Sequence, residues 1–458
     1  MDTLLSINET INGLVWGPPM LLLLVGTGIY LTIRTKFFSI TKLAYILKNT
    51  LMKMFDKSEV GDGEVTPFQA VATALAATVG TGNIAGVATA ITLGGPGAIF
   101  WMWIAAVFGM TTKFAEVVLS IEFREKTPDG RFVGGPMYYI ENGMKNKKAG
   151  KVIATIFAVF GMLAAFGIGN MIQSNSIADS LDVTFGFPKL YVGIVIAVLA
   201  TLVIVGGIKR IASVTEKFVP IMAAFYILGG LVIIFINIKQ VPAAFGLIFG
   251  DAFTGTAAVG GFVGATISQA VRFGVARGVF TNEAGLGSAP IAHAAATTDH
   301  PVRQGLWGVF EVFIDTIIIC TITALTIITS GAWKGGESGA ALTTEAFSMG
   351  LPGEWGGIIV SIGILLFAFS TILSWEYYGE RCAEYLFGPK VNKIYKVLWI
   401  PFIVIGSIGG LEALWDLADT LNGLMAIPNL IGIIALSGIV IRLTKEFFVD
   451  KELVNKGN

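Results

Sequence analysis

Long apolar stretches, separated by short polar segments, run through almost the whole chain. Eleven of them are long enough, at about 20 residues, to cross the hydrocarbon core of a membrane as a helix. We predict spans at residues 12–33, 67–91, 97–120, 151–173, 190–208, 218–238, 256–287, 304–329, 356–380, 394–411 and 420–442. The hydrophobic pattern therefore predicts an all-α polytopic membrane protein.

Glycine and polar residues interrupt two of these predicted spans. Residues 78–82 of the second span contain two glycines and two threonines, and the seventh span is glycine-rich and carries charged residues. Irregular backbone at membrane depth is tolerated only where it is buried in protein or lines a cavity. The alternative for the second span is a tight helix crossing, because Gly82 and Gly86 also form a GxxxG pair.

The two interrupted spans lie five spans apart. If the first span is an addition, the other ten divide into five plus five, and an odd number gives the two halves opposite topology. This arrangement is typical of an inverted-repeat transporter with its binding site between two broken helices. We predict an N-terminal unit at 1–66, repeats at 67–238 and 239–443, and a cytoplasmic tail at 444–458.

The basic residues predict the orientation. Twenty-five of the 31 Lys and Arg residues fall on one side if the N-terminus lies outside, and three fall on the other side. Basic loops stay in the cytoplasm, so we predict a plasma-membrane protein with an outer N-terminus and a cytoplasmic C-terminus. Lys113, Arg272 and Arg277 would lie in spans, toward their inner ends. Segment 34–66 has apolar residues at helical spacing among lysines, which predicts an amphipathic helix on the inner surface.

Composition excludes several classes of protein. Charged residues make up 14% of the chain and hydrophobic residues 54%, and the net charge is zero. A soluble globule usually carries about 25% charged residues. A soluble enzyme, a nucleic-acid binder and a disordered scaffold are therefore excluded, and the lipid bilayer is an expected partner. The 57 glycines fit a membrane bundle whose helices approach closely.

Two long motifs resemble a known family. Residues 80–103, from Gly-Thr-Gly-Asn to Phe-Trp-Met-Trp, and residues 278–294, which include Thr-Asn-Glu-Ala-Gly-Leu-Gly-Ser, resemble signatures of the alanine or glycine:cation symporter family. The resemblance covers essentially the whole chain. It implies a LeuT-type five-plus-five inverted repeat with one extra N-terminal helix. It also implies sodium-coupled symport of alanine or glycine, no enzymatic activity and no requirement for an oligomer.

An amino-acid zwitterion at the bilayer midplane needs both charges satisfied. Its carboxylate can be held by backbone N–H groups where a half-helix begins, and Thr81, Gly82 and Asn83 lie at that point. Its ammonium can be held by carbonyls that end the preceding half-helix, near Ala77 and Thr78. We expect no acidic side chain beside these groups.

A second break is expected near Phe273 and Gly274 in the seventh span. Its carbonyls would also face the ammonium, and Phe273 and Trp375 would form walls that exclude larger substrates. Asn170 and Gln173, in the fourth span, are candidates for polar contact with the substrate. The alternatives are ordinary packing for the aromatic residues and helix-to-helix hydrogen bonds for the two amides.

Sodium, the expected coupling ion, requires oxygen ligands. Ser370 and Thr371 are adjacent hydroxyls in an apolar run of the ninth span. The LeuT-type resemblance implies that the carbonyls of Ala76 and Val79 complete the site. The alternative for the two hydroxyls is a hydrogen bond to the preceding turn of their own helix.

Three alternative functions remain for comparison. A proton-coupled amino-acid transporter of the same fold would use a buried acid, and the alternative for those acids is structural pairing; the candidates are Glu116, Glu311, Asp315 and Glu376. Glu283, Arg272 and Arg277 are expected in an inner gate or scaffold. A channel would need a continuous polar pore, which two local breaks do not supply. An intramembrane enzyme is disfavoured because His293 and His300 share one loop and no catalytic spacing accompanies them.

Overall fold

The computed structural model describes residues 2–54, 61–409 and 412–456, and these residues are almost all helical. The first half contains α1 (Asp2–Val15), α2 (Pro18–Arg34), α3 (Phe38–Thr41), α4 (Leu43–Thr50), α5 (Pro67–Thr78), α6 (Val87–Gly94), α7 (Gly97–Glu122), α8 (Pro136–Gly143), α9 (Lys147–Ala164), α10 (Ile172–Phe185), α11 (Lys189–Ile204) and α12 (Gly207–Ile236). The second half contains α13 (Val241–Thr254), α14 (Ile267–Asn282), α15 (Pro290–His293), α16 (Pro301–Val312), α17 (Thr321–Ser330), α18 (Gly339–Gly350), α19 (Trp355–Phe387), α20 (Val391–Ile408) and α21 (Glu412–Lys456).

Shorter elements join these helices. Strands β1 (Glu125–Lys126) and β2 (Phe132–Val133) form an antiparallel hairpin. Three segments are π-helical: Gly82–Gly86 before α6, Ala165–Met171 between α9 and α10, and Phe313–Cys320 between α16 and α17. Single 3₁₀ turns occur at Leu51–Lys53, Ile238–Gln240 and Ala332–Lys334. A π-helical turn inside an α-helix frequently marks a functional site, because the extra residue breaks the regular hydrogen-bond ladder.

Helices occur at each predicted span. By length and composition, eight helical stretches among the described residues can cross a membrane, and the bent pair α5–α6 brings the number to nine. The shorter α11 and the arginine-containing α14 correspond to the two remaining predicted spans. The end of the tenth predicted span, at residues 410 and 411, lies outside the described residues.

Two predicted span boundaries are wrong. The seventh span begins at Ile267, because residues 256–266 form a loop in which Gly260 and Gly264 adopt positive φ. The sixth begins at Gly207, so the basic residues expected in the preceding loop lie within α12, exposed along the helix. A helix whose first turns reach past the bilayer tolerates exposed lysine and arginine there.

Segment 34–66 does not form the single amphipathic helix that its pattern predicts. Lys36 and Phe37 adopt positive φ and separate α2 from two short helices, α3 and α4. Phe38 and Ile46 are buried, and the Phe38 ring lies 5.0 Å from the ring of Phe114 on α7. Packing against the bundle therefore determines the path of this segment. Residues 55–60, including the predicted basic residue Lys57, lie outside the described residues.

Three of the basic segments meet at one end of the bundle, where Arg124, Arg303 and Arg442 contact Asp62, Asp299 and Glu122, and we call it the basic end. There Asp62 and Thr298 form a β-bridge, which joins the segment before α5 to the segment after α15. Arg124 reinforces this junction, because its guanidinium donates to the backbone oxygens of Ala294, Ala296 and Asp62 at 3.0, 2.6 and 2.7 Å. One side chain thus ties the basic end of α5 to the chain that follows α15.

A buried ionic network lies deeper in the bundle. The Nζ atom of Lys113 on α7 lies 3.2 Å from Oε1 of Glu311 on α16, and both side chains are fully buried. The other Glu311 oxygen lies 3.1 Å from Nε2 of His293, and His293 Nδ1 lies 2.8 Å from Nε2 of Gln304. Lys113 and Glu311 are therefore structurally paired, as one of the sequence interpretations proposed for the buried acids.

Loss of one member of this pair should destabilise the protein. Glu311→Gln leaves the Lys113 ammonium buried beside a neutral amide, which typically costs about 3–5 kcal/mol. The double variant Lys113→Met/Glu311→Gln removes both charges, so we expect it to melt at a higher temperature than Glu311→Gln alone. Thermal unfolding of the purified proteins in detergent measures both values. Equal melting temperatures for wild type and Glu311→Gln would contradict a structural ion pair.

Candidate functional site

The first broken helix begins with a strong start signal and ends abruptly. Thr66 and Gln69 form a reciprocal capping box at the start of α5. At the other end Val79 leaves the helical conformation, with φ −77° and ψ 84°. The chain resumes as a π-helical turn at Gly82, and the axes of the two helical pieces differ by 52°.

Asn83 satisfies much of the backbone at this break. Its Oδ1 accepts a hydrogen bond from the Gly80 N–H at 2.9 Å, and its own N–H donates to the Gly80 carbonyl at 3.2 Å. Its Nδ2 donates to Oδ1 of Asp315 at 2.7 Å. The Asn83 N–H is thus engaged within the break, and Thr81 and Gly82 carry the other two N–H groups that we predicted for a carboxylate.

Three of the four predicted sodium ligands come together. The hydroxyls of Ser370 and Thr371 lie 3.2 and 3.1 Å from the carbonyl oxygen of Ala76. Both hydroxyls also donate to the carbonyl of Phe367 in their own helix, at 2.8 and 3.0 Å. Val79, the fourth predicted ligand, is the last residue before the break. The hydroxyls of α19 therefore face the end of α5 and also make the back-bonds that the alternative interpretation required.

Gln173 faces the break, and Asn170 bonds to α20. Oε1 of Gln173 is buried without a hydrogen-bond partner, and it would lie 3.8 Å from a Cβ atom at Gly80. The Asn170 amide instead donates to the carbonyl of Trp399 on α20, at 2.9 Å. The Asn170 nitrogen thus makes the helix-to-helix hydrogen bond of the alternative interpretation, while its Oδ1 is buried without a hydrogen-bond partner. The predicted contact between Asn170 and the substrate stays a prediction.

The predicted break near Phe273 is wrong. α14 is continuous from Ile267 to Asn282, and Phe273 and Gly274 lie inside it. A Cβ atom at Gly274 would lie 2.2 Å from the carbonyl oxygen of Ala98, so this glycine allows α14 to pack closely against α7. The sequence pattern does not distinguish a glycine that permits close packing from one that ends a helix.

The second interrupted element, α14, ends instead at Glu283, which adopts a left-handed conformation with φ 55°. Nε1 of Trp375 donates to the Glu283 carboxylate at 3.0 Å, and the Ser288 hydroxyl donates to its other oxygen. In the loop that follows, the Gly285 N–H donates to Oε1 of Glu116 on α7 at 3.0 Å. The break is therefore surrounded by buried carboxylates, and the expectation of no acidic side chain beside the site is wrong.

The two breaks meet at a small-residue contact. A Cβ atom at Gly82 would lie 3.2 Å from both Cβ and Oγ1 of Thr281, near the end of α14. The Thr281 hydroxyl donates to Oδ1 of Asp315 at 3.2 Å, and Asn83 donates to the same oxygen. Asp315 thus joins the two broken elements. In the sequence, Asp315 is only one of several candidate buried acids, and no pattern singles out Thr281.

Phe273, Arg272 and Arg277 belong to a different region. Phe273 precedes Thr281 by eight residues, which is about 12 Å along a helix. All three line a pocket with Asn12 and Asp419, at the end of the bundle opposite the basic end. Phe273 and Arg272 lie more than two turns of α14 before Thr281, whereas Arg277 lies one turn before it. These positions favour a role for the three side chains at this pocket rather than at the predicted substrate wall and inner gate.

Solved structures of transporters share this architecture. A sodium-coupled sialic acid symporter, in a substrate-bound outward-open state, aligns with a TM-score of 0.58 at 16% identity, over 88% of this chain and 86% of that one. MhsT in complex with L-phenylalanine aligns with a TM-score of 0.54 at 14% identity, over 85% and 99% of the two chains. At these identities the likeness concerns the fold, which is the predicted LeuT type.

Comparison of sequences identifies the family. The model of the sodium:alanine symporter family matches residues 1–457. The sodium/alanine symporter AgcS of Methanococcus maripaludis is 52% identical over 96% of this chain and 97% of its own length. The chain therefore belongs to the sodium:alanine symporter family, and it is a multi-pass membrane transporter and not an enzyme.

Proposed function

We propose that this protein imports alanine and glycine together with sodium by alternating access, and that it holds the substrate beside the two helix breaks. The observation that carries the proposal is the contact of three elements at the first break: the end of α5, the hydroxyls of α19 and the unpaired amide oxygen of Gln173. The relative from M. maripaludis is named for sodium and alanine, which supports the same pair here.

The sodium ion would bind between α5 and α19. Its ligands would be the carbonyls of Ala76 and Val79 and the hydroxyls of Ser370 and Thr371. The hydroxyls already lie within 3.2 Å of the Ala76 oxygen, so an ion between them would replace hydrogen bonds with oxygen–cation contacts. Four uncharged oxygens suit a monovalent cation that must be released in each transport cycle.

The substrate would bind on the adjacent side of the break. Its carboxylate would accept hydrogen bonds from the N–H groups of Thr81 and Gly82. Its ammonium would face the carbonyls of Ala77 and Thr78 and the free oxygen of Gln173. Thr281, which lies against Gly82, leaves little room for a long side chain on this side, and this restriction favours alanine and glycine.

Orientation and symmetry complete the proposal. The excess of basic residues at the basic end supports a cytoplasmic C-terminus and an outer N-terminus. The chain would divide into two five-span repeats at 67–238 and 239–443, preceded by the unit at 1–66 and followed by the tail at 444–458. The breaks at Val79 and Glu283 would then occupy corresponding positions in the two repeats.

Proton coupling is the second candidate. It is favoured by one observation, the buried carboxylate of Asp315 between the two breaks. Protonation of this group would weaken its hold on Asn83 and Thr281, which links a proton to the same contact. If protons drive transport, Asp315→Asn would remove the dependence of transport on pH. If sodium drives transport through α19, the sodium dependence would persist in Asp315→Asn.

Gly82→Val should abolish alanine transport while the protein remains inserted and folded. The new side chain would push against Thr281 and fill the space where the carboxylate meets the backbone. Gly86→Val is the matched control, because a Cβ atom there meets nothing within 4 Å. Labelled alanine uptake in proteoliposomes compares the two variants. Normal alanine binding by Gly82→Val would show that Gly82 only packs helices.

Ser370→Ala/Thr371→Ala should raise the sodium concentration needed for alanine binding. Two oxygen contacts to a cation are lost, and a charged contact contributes about 1.5–3 kcal/mol, so we expect an increase of at least about tenfold. Alanine affinity should partly recover at saturating sodium, because the substrate is linked to these hydroxyls only through the ion.

Alanine binding titrated at several sodium concentrations measures this effect. Ser361→Ala is the control, since Ser361 is also buried in α19 but bonds to Ser180 and Thr184 instead. An unchanged sodium dependence in the double variant would place the ion elsewhere and leave the back-bond to Phe367 as the role of these hydroxyls.

A further inference from the structure

A polar pocket lies at the end of the bundle opposite the basic end, between α1, α14 and α21. Its volume is about 100 Å³. Its lining includes Arg272 and Arg277 of α14, Asp419 of α21, Asn12 of α1, and Trp16, which directly follows α1. The pocket therefore brings two guanidinium groups and one carboxylate to a cavity of small-molecule size, and none of these groups belongs to the site at the helix breaks.

Aromatic rings support the two arginines. The guanidinium of Arg272 lies 5.4 Å from the ring centre of Phe273, and that of Arg277 lies 5.7 Å from the ring centre of Phe280. Within the described part of the chain neither guanidinium forms an ion pair at 4.0 Å or less. Planar guanidinium groups bind carboxylates through paired hydrogen bonds, and stacking on a ring leaves their N–H edges available for a ligand.

The N-terminal helix holds the carboxylate in place. Nδ2 of Asn12 lies 3.3 Å from Oδ2 of Asp419 and 3.0 Å from the hydroxyl of Thr420. Nε1 of Trp16 donates to the backbone carbonyl of Asp419 at 3.2 Å. α1 thus fixes the first turns of α21 and positions a negative charge opposite the two positive ones.

We propose that this pocket captures the amino-acid substrate before it reaches the helix breaks. Arg272 and Arg277 bind the carboxylate of the zwitterion, and Asp419 binds its ammonium. The inference rests on the proposed function and orientation, which place the pocket on the outer face. Arg277 precedes Thr281 by four residues, about 6 Å of helix, so the pocket lies one turn from the contact between Thr281 and Gly82. The extra N-terminal helix thereby acquires a role in substrate entry.

Two ligands that differ by one charge test the assignment. Propionate has the carbon skeleton and carboxylate of alanine without the ammonium. We compare wild type, Arg277→Gln, Asp419→Asn and the control Arg34→Gln, whose guanidinium is exposed near the basic end and donates to the Tyr30 hydroxyl. The measurements are the KM of labelled alanine uptake, its inhibition constant for propionate, and equilibrium alanine binding in detergent at saturating sodium.

Arg277→Gln should raise both the KM for alanine uptake and the inhibition constant of propionate about tenfold, since each ligand loses a charge-assisted hydrogen bond. Asp419→Asn should raise the alanine KM by a similar factor and leave the propionate constant unchanged. Equilibrium alanine binding, which reports the site at the breaks, should match the control in both variants. Arg277→Lys should recover most of the loss. If Arg277→Gln does not insert, Arg272→Gln on the exposed side of the pocket carries the same expectation.

Two results would overturn the pocket alone. In one, Asp419→Asn raises the propionate constant together with the alanine KM, which indicates a change in the opening of the transporter and not in ligand charge. In the other, both variants behave like Arg34→Gln. If the wild-type protein does not take up alanine, the proposed function and this inference fail together. That outcome differs from the two results above, in which the wild-type protein transports alanine.

Discussion

A helix that is interrupted inside a membrane frees backbone groups that lipid does not satisfy, and the protein itself must bond them. This constraint accounts for the surroundings of the first break. Asn83 bonds the N–H and carbonyl of Gly80, and the hydroxyls of Ser370 and Thr371 bond the carbonyl of Ala76. Each of these groups is also suited to exchange its present partner for an ion or a zwitterion. The requirement for backbone satisfaction and the capacity to bind a polar substrate thus arise from the same residues.

Close packing brings the remaining groups to the break. Gly82 lies against Thr281, and a Cβ atom at Gly169 would lie 2.1 Å from Cβ of Trp375, so a larger residue at either glycine would force helices apart. The buried carboxylates then have defined partners, because Trp375 donates to Glu283 and Thr281 donates to Asp315. A transporter built in this way changes conformation by exchanging whole sets of contacts between rigid helices, and a single added methyl group at the junction has a large effect.

The sequence predicted the first break because the signal is local, whereas the meeting of this break with Ser370 and Thr371 was implied by the LeuT-type resemblance. Adjacent glycines and threonines weaken a helix where they occur, and the family motif extends across them. The break of the seventh span was predicted near Phe273 because Gly274 looks the same in sequence whether it interrupts a helix or packs against Ala98. Glu283 ends the helix in a left-handed conformation that few non-glycine residues adopt, and tertiary contacts from Trp375 and Ser288 hold its side chain.

Uptake of labelled alanine into proteoliposomes that contain the purified protein tests the central claim most directly. One preparation receives an inward sodium gradient at equal pH on both sides, and a second receives a pH gradient in the absence of sodium. We predict saturable accumulation of alanine with the sodium gradient and no accumulation with the pH gradient alone. Accumulation that follows the pH gradient and ignores sodium would contradict this prediction, and would transfer the coupling role from the hydroxyls of α19 to a buried acid.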